Sequence, residues 1–120
     1  MIKLGRVTDL VMIQSYPDEI QSAVLDILEI LDSNYGEERD VKLDYGGFVL
    51  FTESAGDFPE IEKELGQNMA YDGIPEYVDI VRCKNKEVFT VSLFIVSTEF
   101  SVAVVMPYRI TPDNLISYIE

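Results

Sequence analysis

The sequence predicts an α+β fold. An antiparallel sheet is expected from a hairpin over residues 40–53 and a meander over 77–106. A long helix over 17–35 packs on one face, with short helices near 58–65 and 112–120. Two observations predict this: one segment carries an unbroken helical apolar stripe, and β-branched and aromatic runs separated by turn signals fill the second half. Strands grouped in runs, with helices between the runs, favour an α+β layer over alternating βαβ units.

Residues 1–14 admit two readings, because Val11, Met12 and Ile13 suit a strand or a short helix equally. The helix over 17–35 opens on Pro17, which suits a first turn, with Ser15 or Tyr16 ahead of it as cap. Asp18 and Glu19 follow, where the helix dipole favours anions. Ile20, Ala23, Val24, Ile27, Leu28 and Leu31 recur at i, i+3, i+4 and i+7. Of these, Ile20, Val24, Ile27, Leu28 and Leu31 are expected in the core. Gly36 provides the stop.

Val41, Leu43 and Tyr45 alternate with Lys42 and Asp44, and Phe48 to Phe51 follow Gly46-Gly47. A Gly pair between two such runs predicts a tight hairpin, since both residues accept positive φ. The arm over 48–51 is apolar on both faces and is expected to be covered on both. Asp57 caps the helix near 58–65, and Gly66 ends it. Asp72-Gly73 marks a turn in an irregular connection. The meander has strands over 77–83, 87–96 and 100–106, turned by Lys84-Asn85-Lys86 and by Ser97-Thr98-Glu99. Thr111-Pro112-Asp113 starts the terminal helix, with Thr111 as cap.

Twenty-two carboxylates face nine Lys and Arg, there is no His, and the net charge is -13 over 120 residues. A field of that sign repels nucleic acid and anionic membranes and attracts basic partners. Fifteen carboxylates lie within residues 9–64 against Arg39, Lys42 and Lys63, a net of -12, so the negative charge is one-sided. Apolar residues make up 48% of the chain, enough for one domain with its own core and against a disordered reading. Cys83 is the only cysteine, which excludes an internal disulfide and fits a reducing compartment. No cleavage site follows the first apolar stretch, and no run approaches the roughly 20 residues that span a bilayer. A cytoplasmic protein without membrane contact is expected.

No catalytic residue stands out. Cys83 and the Ser and Thr hydroxyls have no His to activate them, and no phosphate loop or dinucleotide fingerprint occurs. Zinc would need Cys and His ligands that the chain lacks. Asp32, Asn34 and Gly36 depart from a calcium loop, with Gly36 at the fifth position and Leu43 at the twelfth. The sequence therefore predicts a non-enzymatic protein without cofactor or metal.

The best candidate surface is the polar face of the long helix: Asp18, Glu19, Asp26, Glu29 and Asp32, with Leu25 inside the acidic arc. No Lys or Arg lies on that helix to relieve the repulsion. One reading is a docking surface, a negative field around an apolar anchor, and the other is a solvated face with one stray Leu. A secondary candidate interface is Tyr71, Ile74, Tyr77 and Tyr108, against ordinary edge packing. The expected function is a small acidic binding protein for a basic protein partner, of the inhibitor, immunity or charge-mimic type. The rivals are a homodimeric assembly domain using the meander and a small-molecule sensing domain. Crowded carboxylates are also expected to have raised pKa values, so that mild acid at first stabilises the fold.

Overall fold

The structure is a computed structural model that describes residues 1–33, 46–65, 75–97 and 100–119. The fold is α+β, with five strands in one mixed sheet. In chain order, β1 spans Ile2–Leu4 and a 3-10 helix Val7–Ile13. They are followed by α1 (Asp18–Ser33), β2 (Gly46–Phe51), a 3-10 turn (Ala55–Asp57) and α2 (Phe58–Leu65). Then come β3 (Tyr77–Arg82), β4 (Val88–Ser97), β5 (Phe100–Pro107), a 3-10 turn (Tyr108–Ile110) and α3 (Asp113–Ile119). The strand order is β1-β2-β5-β4-β3.

β3, β4 and β5 form the antiparallel meander, with Tyr77 opposite Leu93 and Leu93 opposite Ala103. The expectation of a wholly antiparallel sheet is corrected at β2. That strand runs parallel to β5, Phe48 opposite Val102 and Phe51 opposite Val105, and antiparallel to β1. The physical reason is burial. β2 and β5 are the two strands apolar on both sides, so they belong side by side at the centre. The chain crosses α2, β3 and β4 between them and returns in the same direction. The first arm of the expected 40–53 hairpin lies outside the described residues. Gly46 and Gly47 sit within β2 itself, where Gly47 has φ 155°, a value L-residues rarely adopt.

Two apolar layers follow from the alternation along the central strands. On one face Val49, Phe51, Ala103 and Val105 meet Ile20, Val24 and Leu28 of α1 and Ile13 of the first 3-10 helix. On the other, Leu50, Val102, Val104 and Met106 meet Ile61 and Leu65 of α2 and Leu115 of α3. Ile20, Val24 and Leu28 are buried as the helical spacing predicts, whereas Ile27 is only half-buried at the margin of that layer. The Leu31 side chain lies outside the described set. Thr90 and Ser92 are buried in the second layer, where their hydroxyls donate to the Met106 and Val104 carbonyls.

Local capping departs from the sequence reading in two places. Asp57 points back along the chain, its carboxylate accepting the Thr52 hydroxyl proton at 2.5 Å, while Ser54 takes the Gly56 N–H. Thr111 is buried with its hydroxyl 3.5 Å from that of Thr90, and the Pro112 carbonyl opens α3 by accepting from Leu115 and Ile116.

Two carboxylates depart from the expected raised pKa values. The N–H groups of Glu19 itself and of Lys84 donate to the Glu19 carboxylate and hold it below the ordinary range. The Thr52 hydroxyl, and secondarily the terminal ammonium, does the same for Asp57. A carboxyl with a depressed folded pKa binds fewer protons native than unfolded. Its stabilisation is complete above the unfolded pKa and is lost as pH falls through the folded one. Both groups therefore make acid destabilising below about pH 4.5. Thermal melts from pH 6 to pH 3 should fall over that window, and Glu19→Gln should flatten the fall. An unchanged acid limb in the variant would contradict the assignment.

Candidate functional site

Two surfaces merit a chemical reading: the outward side of α1 and a cleft at one end of the sheet. On α1, Asp18, Asp26 and Glu29 are exposed. Glu19 is half-buried and engaged, since its carboxylate accepts the Lys84 N–H at 2.5 Å and ties the helix start to the β3–β4 turn. The Asp32 side chain lies outside the described set. Leu25, expected to point away from the core, is half-buried. It lies one turn beyond Gln21, whose amide donates to the Gln14 and Tyr16 carbonyls at 3.2 and 2.6 Å. That flank of α1 therefore leans against the 3-10 helix.

The 3-10 helix supplies what the sequence reading missed. Ile13 is buried, but Val11 and Met12 are 61% and 51% exposed. Leu4 and Ile13 satisfy the core at this edge with Leu10 packed against it, and the tight 3-10 turn leaves Val7, Val11 and Met12 exposed. Asp9 fixes the segment by accepting from the Gly5 and Arg6 N–H groups at 2.8 and 3.0 Å. An apolar shoulder thus stands beside the acidic helix face. The signal was the run Val11-Met12-Ile13, in which a single face cannot bury all three residues.

Of the secondary Tyr-centred candidate, only Tyr77 and Tyr108 are described, and these two are not brought together. Tyr71 and Ile74 lie outside the described residues. Tyr77 is exposed at the start of the edge strand β3, whereas Tyr108 follows the far end of β5. The two occupy opposite ends of the meander.

Tyr108 belongs instead to a cleft of about 600 Å³. Its aromatic wall is Tyr16 and Tyr108, with the buried Phe89 beneath them, and Lys86, Arg109, Glu53 and Glu87 bring charge to it. Tyr16 is fixed from behind by the buried Phe51 ring, 4.5 Å between centroids, and by Phe89 at 6.4 Å, edge-on. Lys86 is held at φ 73° in the β3–β4 turn, the left-handed region that favours Gly. Its N–H donates to the Cys83 carbonyl at 2.9 Å, and Asn85 receives the Glu87 N–H at 3.0 Å. A non-glycine residue there carries strain of order 1 kcal/mol. Cys83 beside it is buried. Burial, then the charges of Glu19 and Glu87, raises its thiol pKa, so the thiol stays protonated and unreactive.

Among the described residues no cluster of three Cys, Asp or Glu side chains has metal-site geometry, and no helix is long and apolar enough to cross a membrane. No protein-family model, curated protein or solved structure matches this chain.

Proposed function

We propose that this chain is a small non-enzymatic binding domain that engages a basic protein partner through the outer face of α1 and the adjoining 3-10 helix. The observation that supports this reading is a juxtaposition. Asp18, Asp26 and Glu29 are exposed on a helix without cations, and exposed Val11 and Met12 stand on the segment packed along its flank. A charged field accelerates encounter with an oppositely charged surface, and desolvated apolar side chains near the centre hold the complex. The net charge of -13 selects a basic partner and disfavours self-association through this face. Inhibitor, immunity and charge-mimic roles all use this physics.

The test is capture on the wild-type chain at low and high salt, followed by binding kinetics on the recovered partner. The double variant Asp26→Lys with Glu29→Lys should slow association about tenfold at low salt and flatten its salt dependence. Val11→Ser with Met12→Ser should leave association unchanged and speed dissociation, because solvent-exposed sites tolerate the change without loss of fold. Wild-type kinetics in both variants would refute the assignment. A homodimer indifferent to salt would transfer it to the meander.

A further inference from the structure

We infer that the cleft at the end of the sheet is a binding site for a small aromatic zwitterion, a ligand of the chemistry of an aromatic amino acid. Its position is the first argument. β2 ends at Phe51 and β5 at Pro107, and they form the parallel pair, so Glu53, Tyr108 and Arg109 emerge together beyond their carboxyl ends. In open α/β sheets ligands bind in the crevice beyond the carboxyl ends of parallel strands, and the single parallel pair here opens its loops at the same end.

The lining is the second. The half-buried Tyr16 and Tyr108 offer faces and edges for a planar ring, and Tyr16 is preorganised by its packing on the buried Phe51 and Phe89. Lys86 and Arg109 provide two cations, and Glu53 and Glu87 two carboxylates. The set is neutral within a chain of net charge -13. A ligand carrying both a carboxylate and an ammonium pairs with both kinds of group and meets no net repulsion. A pure anion would face Glu53, Glu87 and the global field, and a pure cation would leave Lys86 and Arg109 unanswered. The third argument is Lys86 itself, held where Gly is favoured at a site that lines the cleft. Backbone strain retained beside a cavity points to a use for the side chain.

The experiment is a titration of the 15N-labelled protein with L-tryptophan, 3-phenylpropionate, phenethylamine and adenosine monophosphate as separate probes. L-tryptophan should bind saturably in the millimolar range or tighter, with shifts confined to residues 16, 53, 86–89 and 107–109. The probes of single charge and the nucleotide should bind at least tenfold more weakly. Arg109→Gln and Lys86→Gly should each weaken L-tryptophan about tenfold, and Lys86→Gly should not lower the melting temperature, because Gly relieves the turn. No saturable shift, shifts elsewhere, equal binding of the other probes, or wild-type affinity in both variants would overturn the inference.

Discussion

Phe51→Ala should destabilise the protein by about 3–5 kcal/mol, the largest single-residue effect expected. Phe51 is fully buried in β2 and is central in position between Tyr16, at 4.5 Å, and Phe89, at 6.1 Å between ring centroids. Truncation removes the ring's transfer energy and leaves a cavity whose walls are a parallel strand pair and the packed start of α1, neither of which collapses easily. For a chain of this size the loss corresponds to a drop in melting temperature of roughly 10–20 °C. Phe51→Leu keeps most of the volume and should cost less than about 2 kcal/mol. Thermal and urea unfolding measure both. A loss below about 1 kcal/mol in the Ala variant would mean that this aromatic cluster is not the centre of the α1-facing layer.

Leu28→Ala should cost about 2–5 kcal/mol, and Leu25→Ala no more than about 1. The two lie three residues apart on α1, yet Leu28 is 2% exposed against the sheet and Leu25 is half-buried at the flank. The ratio of the two effects therefore reports which face of α1 meets the sheet. Equal costs, or a loss below about 0.5 kcal/mol at Leu28, would contradict that orientation. Leu25 also sits beside the proposed partner surface, so its modest stability cost must be measured before any binding effect is assigned to it.

Where a single element satisfied its own pattern, its nature was legible in advance. The stripe Ile20, Val24 and Leu28 specified an amphipathic helix because those side chains share one face whatever they pack against. The meander was equally legible, since short turns join strands that are sequence neighbours, and hydrogen bonding between neighbours needs no distant information. The acidic face of α1 was readable in the same way, as the complement of that stripe. Glu19 was not distinguishable from Asp26 or Glu29 in sequence. Its role comes from Lys84, 65 residues away, which offers its N–H to that carboxylate.

The rest needed the tertiary structure. Phe48 to Phe51 announced burial on both faces but not its partners, and pairing with β1 and β5 is a contest among all strands. The parallel β2–β5 pair followed from that contest, and with it the cleft, whose walls come from four separate segments of the chain. Exposed Val11 and Met12 could not be told from core residues by composition, because a core has finite volume and other side chains filled it first. By itself the sequence determined the α1 stripe, the meander and the sign of the field, all properties of residues near one another in the chain or of the total charge. The tertiary structure alone decided the direction of β2, the use of Glu19, the apolar shoulder and the amphoteric cleft. Each of those depends on which distant segments meet, and local periodicity carries no term for that choice.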